Sequence, residues 1–264
     1  MNAMPLEQLG FIEVRGADAE TFLQGQLSND VRELSPARGQ LSSYNSPKGR
    51  MLAVLHLFRH DDAIYLELHR SVLEATLKRL RMFVLRSKVT LEDASQRWAA
   101  LGLAAPEASA ALQHAGLPLP QRAMDLAWKD GIAVLRRHGE TPRYTVSGPR
   151  GQLPDLPAMD DAMWRLTQIE AGVPTVYPQT SDRFVPQMCN LDALGGISFN
   201  KGCYTGQEIV ARVHYRGAVK RHMVQTRLPT PPPEPGTKLE QGEVVDAAPL
   251  ADGGSIALLV AAGA

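Results

Sequence analysis

The chain has 264 residues, enough for a substantial buried core and more than one core usually holds. Its 28 basic and 28 acidic residues balance, which excludes the global basic footprint of a constitutive nucleic-acid binder. Apolar residues make up 44% without a run that could span a bilayer, and two cysteines without a CxxC pair exclude a disulfide scaffold, so a soluble multidomain protein in a reduced, cytoplasmic setting is predicted. The start, Met1-Asn2-Ala3-Met4-Pro5, has neither the basic region nor the hydrophobic segment of a secretory signal.

Phe11 to Val14 reads as a short strand, and Gly16-Ala17-Asp18 turns it into a helix with Phe22, Leu23 and Leu27 on its apolar face. The turn Ser46-Pro47-Lys48-Gly49 precedes a hydrophobic strand from Leu52 to Phe58, and His60-Asp61-Asp62 joins it to a strand from Ile64 to Leu68 as a hairpin. Ser71 opens a helical pattern of Val72, Leu73, Thr76, Leu77 and Leu80, after which Val89 and Leu91 predict another strand. Strands mixed with helices give an α+β fold class. Between about residues 96 and 157 the pattern changes to an alanine-rich helix near Ala108 to His114 and strands at Ile132 to Leu135 and Tyr144 to Val146. Asp161 to Glu170 is a further helix. The run from Pro229 to Gly236 is a loop because prolines lack amide donors, and Leu239, Val244, Val245 and Ile256 to Val260 predict a small C-terminal antiparallel β-barrel.

The stretch Lys201-Gly202-Cys203-Tyr204-Thr205-Gly206-Gln207-Glu208 sets one cysteine between glycines at a predicted helix entrance. Thr205 and Glu208 have capping-box spacing, Tyr204 and Ile209 have staple spacing, and Gln207 to His214 continues the helix. A thiol near the amide end of a helix and close to Lys201 is expected to favour its thiolate; a packed turn cysteine satisfies the same spacing. Two local basic clusters stand out, Lys78, Arg79, Arg81, Arg86 and Lys88, and Arg212, His214, Arg216, Lys220, Arg221 and His222. Each fits either an anion site or a solvated face.

The block from Phe184 to Asp192, followed by Gly195-Gly196-Ile197-Ser198-Phe199-Asn200 and the cysteine motif, closely resembles YgfZ-type folate-binding proteins, relatives of the glycine-cleavage aminomethyltransferase. The likeness extends through Phe22 to Val31, Asn45 to Met51 and Ile169-Glu170-Ala171-Gly172-Val173-Pro174, and so covers most of the chain, with little from about 98 to 157. The resemblance implies a multidomain aminomethyltransferase-like fold: a discontinuous folate-binding core at 1–95 and 158–214, a smaller α+β domain at 96–157 completing the pocket, and the barrel at 215–264. It also implies tetrahydrofolate or a derivative as cofactor, with Glu170 holding the polar edge of the pterin; a carboxylate can accept paired hydrogen bonds there.

The family is associated with iron-sulfur enzyme maintenance and transfer RNA thiolation, which implies iron-sulfur assembly or client proteins as partners and an indirect link to transfer RNA modification enzymes. The expected protein is a monomer without a membrane role or a stable metal site. Cys203 is the candidate reactive thiol, with Lys201 beside it; Arg183 and Arg212 are candidates for the folate tail, and Tyr204 for stacking or stapling. Cys203 alone cannot hold a conventional cluster, and Cys189 lies fourteen positions earlier, so a transient site completed by a partner thiol is expected. The catalytic aspartate of the aminomethyltransferases has no convincing equivalent, and Asp61 and Asp62 fall in a turn. A folate-dependent one-carbon transferase and a direct transfer RNA-binding module remain alternative readings, and turnover of a substrate is left open.

Overall fold

Alternation of apolar residues with a period of two builds the first sheet and gives it two different faces. Its strands are β1 (Leu9–Arg15), β2 (Gln40–Asn45), β3 (Met51–His60), β4 (Ala63–His69) and β5 (Thr90–Asp93), in the order β2-β3-β4-β1-β5 with every neighbour antiparallel. The computed structural model describes residues 4–104, 106–217 and 219–262; Met1, Asn2 and Ala3, part of the start considered above, lie outside them. On one face Ile12, Val14, Leu55, Leu57, Ile64 and Leu66 enter the main core, which α1 (Ala19–Gln24) and α2 (Leu73–Arg81) close with Phe22, Leu23, Leu77 and Leu80. Each such buried side chain contributes about 1.5–3 kcal/mol relative to exposure.

The opposite face presents Phe11, Phe58, Ala63 and Tyr65 to Trp98, Leu126 and Leu135 of a second antiparallel sheet and to Met124 in the turn before β7. The sheet holds β6 (Trp98–Ala104), β7 (Leu126–Lys129), β8 (Ile132–Arg136) and β9 (Arg143–Pro149) in the order β6-β9-β8-β7. Its outer face packs Leu101, Leu103, Val134 and Val146 under Leu112 of α3 (Ala108–His114). Next comes α4 (Asp161–Glu170), whose N-terminus is capped by Asp160 accepting from the Met163 amide at 2.8 Å. Trp164 projects from α4 onto Gly102, where an added Cβ would lie 2.6 Å from the indole.

After α5 (Gln207–Arg216), the C-terminal strands β10 (Arg221–Leu228), β11 (Lys238–Leu239), β12 (Gly242–Pro249) and β13 (Ser255–Ala262) form a sheet in the order β10-β13-β12-β11. This corrects the expected barrel. β10 and β11 are the two edges and do not pair with each other among the described residues, because β11 has only two residues and pairs with β12 alone. One face of the sheet joins the main core through Val245, Ala248, Leu258 and Val260. Asp246, fully buried at a register shift in β12, ties the sheet to α4 by accepting from Arg165 Nε at 2.7 Å and Tyr177 Oη at 3.0 Å. No helix among the described residues is long and apolar enough to cross a membrane.

Candidate functional site

The cysteine loop is built by close backbone packing rather than by a side-chain cap. Gly206, at φ 82°, is the N-cap of α5 and no side chain bonds there, so the Thr205–Glu208 capping box does not form; Glu208 instead pairs with Arg212 at 2.7 Å. The reason is contact with the turn at 46–49: a Cβ on Gly206 would lie 2.4 Å from the Ser46 carbonyl oxygen. A Cβ on Gly49 would lie 2.7 Å from Ile209 Cβ, so Ile209 packs on that turn. Lys201 is buried, and its Nζ donates to the carbonyls of Leu27 at 2.6 Å and Asn29 at 2.7 Å, 5.0 Å from the centre of the Tyr204 ring. Desolvation is the main reason its pKa falls to about 8. Tyr204 is buried, and burial pushes its phenol up. Cys203 is exposed, whereas Cys189 is buried and desolvation pushes its thiol pKa up.

Glu170 ends α4 at the wall of a cavity of about 760 Å³, shared with Ala104, Glu140, Thr141, Arg143, Thr167 and Gln225. That volume suits a small organic molecule. Arg143 is the buried cation of this wall. It donates to Thr167 Oγ1 at 3.0 Å, to the His138 carbonyl at 2.8 Å and to Gln168 Oε1, all uncharged acceptors. Desolvation first, then the charges of Arg137 and Arg136, lowers its pKa to about 9, while Glu170 acts in the opposite sense.

A second, inner cavity of about 40 Å³ is lined by His56, Glu67, His69, Arg137, Trp164, Gln168 and Tyr177, among others. Arg137 and Glu67 form a buried ion pair at 2.6 Å, and Arg137 also contacts His56 Nδ1 at 2.9 Å. Because the guanidinium can only donate, His56 Nδ1 accepts and Nε2 carries the proton. Burial, then the charges of Arg137, His138 and Arg143, holds the His56 pKa well below its ordinary value, consistent with this neutral form. Four buried atoms of this lining have no protein partner among the described residues: His56 Nε2, Arg137 Nε and Trp164 Nε1 as donors, and Glu67 Oε2 as acceptor. The two cavities share α4, with the Trp164 ring 5.8 Å from the Arg137 guanidinium and 4.7 Å from that of Arg143.

A "tRNA-modifying protein YgfZ" from Escherichia coli O6:K15:H31 strain 536 is 34% identical over 271 residues, covering 96% of this chain and 83% of that protein. The chain belongs to the YgfZ family. A YgfZ of Shigella boydii serotype 18 is 35% identical over 229 residues, covering 84% of this chain and 70% of the relative. The GCVT N-terminal domain family matches residues 3–130. The glycine cleavage system aminomethyltransferase T of Bartonella henselae superposes with a TM-score of 0.77 over 97% of this chain and 77% of that one; at 18% identity this shows the fold.

Within this YgfZ-family chain the candidate residues do not converge on one place. Glu170 lines its cavity without Cys203, Lys201, Tyr204, Arg183 or Arg212. Arg183 lies in a separate cavity with Arg50, Arg221 and Lys238, and its Nε donates to Glu243 at 2.7 Å. Arg212 is exposed on α5 beside Glu208. Asp61 and Asp62 occupy the β3–β4 turn, Asp61 at φ 52° and Asp62 paired with Arg15. Among the described residues no three His, Cys, Asp or Glu side chains gather as a metal site. Sequence reasoning missed His56, Glu67, Arg137, Arg143 and Gln168. Their signal was a carboxylate inside the apolar run 63–68 and paired arginines at the end of 132–135.

Proposed function

We propose that this chain is a folate-binding accessory protein that supports iron-sulfur cluster assembly or repair and, through it, transfer RNA modification. The observation that carries this reading is that one segment, 164–177, lines both adjoining cavities: Thr167, Glu170 and Gly172 face the larger one, and Trp164, Gln168 and Tyr177 the inner one. The residues fit a tetrahydrofolate. Glu170 supplies a carboxylate for an aminopyrimidine edge, and Arg143 keeps two of its five N–H donors beyond the three bonds it makes. The inner cavity, at about 40 Å³, is too small for a pterin, and its unpaired donors and free Glu67 oxygen suit a few bridging waters behind the larger cavity. Bound tetrahydrofolate supplies a carrier of one-carbon units. The division into a folate-binding core, a second domain at 96–157 and a C-terminal unit at 215–264 belongs to the same proposal, and the name of the relatives, tRNA-modifying protein, supports the link to transfer RNA.

In this reading Cys203 is the thiol offered to a partner, contributing one ligand or one exchanging sulfur while the partner contributes the rest. Lys201 positions the loop by anchoring it to Leu27 and Asn29. A deletion strain complemented with the intact chain, Cys203→Ala or Glu170→Ala, scored for iron-sulfur enzyme activity and transfer RNA thiolation, tests it. Both variants are expected to lose rescue while remaining folded, and only Glu170→Ala to lose folate. Full rescue by folded Cys203→Ala would remove the thiol from the mechanism.

A further inference from the structure

The C-terminal turn of α2 and the loop after it carry Lys78, Arg79, Arg81, Arg86 and Lys88, and none of the five forms an ion pair with a carboxylate among the described residues. Arg81 donates to the Leu91 carbonyl at 2.6 Å, and Arg79 lies 5.6 Å from the centre of the Phe83 ring. The carboxylates nearby in sequence are the exposed Glu74, Glu92 and Asp93, of which Glu92 pairs with Arg97 at 3.4 Å and Asp93 accepts from the Ser95 amide at 2.9 Å; Asp18, distant in sequence, accepts from the Lys88 amide at 2.7 Å through its Oδ2. Amid these charges the loop displays two apolar side chains, Met82 at 61% and Leu85 at 87% exposure, while Phe83 and Val84 turn inward against the main core. The display is fixed. Phe83 N donates to the Leu80 carbonyl at 3.0 Å, Ser87 N to that of Val84 at 2.8 Å, and Leu85 is held at φ 44°, a conformation few non-glycine residues adopt. Beside it runs a cleft of about 790 Å³ lined by Asp18, Thr21, Phe83, Leu85, Arg86 and Ser87.

We propose that this loop is a docking surface for a protein partner that presents an apolar socket rimmed by Asp and Glu. Leu85 and Met82 fill the socket, and the uncompensated cations pair with the rim; arginine forks suit carboxylates in particular. The tip is aliphatic, so it offers no stacking platform for the bases of a nucleic acid. Two exposed apolar residues are also too few to anchor the protein stably at a lipid surface. The inference is independent of the folate reading, since the loop contributes to neither the Glu170 cavity nor the inner cavity.

The test places a photo-crosslinking residue at position 85 of the full-length chain in cells, with position 234 in the proline-rich loop as control. The protein captured at 85 is purified, and its affinity is measured for the intact chain, Met82→Ser/Leu85→Ser and Arg86→Glu/Lys88→Glu. The expected result is a weakening of about tenfold or more by either double variant with unchanged thermal stability. Affinity of the intact chain should fall with added salt, and that slope should flatten for the charge-reversal variant. Three results overturn the proposal: no capture at 85 above the control, equal affinity for all three proteins, or the same variants abolishing binding to phosphatidylglycerol vesicles or transfer RNA instead of to a protein.

Discussion

Replacing Lys201 by Met removes the anchor of the Cys203 loop while preserving most of the side-chain volume. Two hydrogen bonds from an ammonium to the Leu27 and Asn29 carbonyls contribute about 1.5–3 kcal/mol each. Against them stands desolvation, which takes the Lys201 pKa from 10.5 to about 8. A shift of that size corresponds to roughly 3–4 kcal/mol at neutral pH. The net contribution then spans about −1 to 3 kcal/mol and centres near 1, and the Tyr204 ring contact adds about 0.5–1 kcal/mol. Lys201→Met is therefore expected to cost about 2 kcal/mol, or about 5 °C in Tm for a chain of this size. Differential scanning calorimetry measures the loss, and limited proteolysis should find faster cutting between 198 and 206. Unchanged stability together with slower alkylation of Cys203 would refute the reasoning, because it would put the ammonium on the thiolate instead of on the carbonyls.

Asp246→Ala should lower stability by about 2–3 kcal/mol in urea titrations, because Tyr177 loses its buried acceptor while Arg165, a third exposed, can rehydrate. A loss below 0.5 kcal/mol would show that the C-terminal sheet does not depend on this contact. Burial holds His69 and His138 at about 4, and His56 well below its ordinary value. Unfolded histidines titrate near 6.5, so between about pH 4 and 6.5 the unfolded chain binds more protons; stability should fall on acidification by about 1.4 kcal/mol per pH unit per histidine. Urea midpoints that stay level from pH 7 to 5 would contradict it. Limited alkylation with peptide mapping should label the exposed Cys203 well before the buried Cys189, which should react only on unfolding.

The apolar strands bounded by turn residues were legible: β1, β3 and β4 are apolar runs buried on both faces of the first sheet, and the hairpin at His60-Asp61-Asp62 formed as read. β2 was not. Its sequence QLSSYN is polar yet fully buried, and it is stabilised by distant partners: Ser28 Oγ accepts from the Ser43 amide at 2.8 Å and donates to the Gly196 carbonyl at 2.7 Å. β6, WAALGLA, has no alternation because both its faces are covered, so its pattern resembled neither a surface helix nor a half-buried strand. The helix after Cys203 was legible but its cap was not, since the need for Gly206 arises from the turn at 46–49, far away in sequence. The candidate site divides similarly. Glu170 and Cys203 stand in motifs, whereas His56, Glu67 and Arg137 meet only through pairing of β3 with β4 and packing of the two sheets.

The measurement that bears most directly on the central claim is equilibrium binding of tetrahydrofolate, under reducing conditions, to the intact chain and to Glu170→Ala. The variant removes a charged acceptor from the wall of the larger cavity without touching a core residue. The expected result is saturable binding by the intact chain and a loss of about tenfold or more in the variant, the contribution of a charge-assisted hydrogen-bonded pair. Undetectable binding by the intact chain, or equal affinity in both proteins, would contradict a folate site at Glu170.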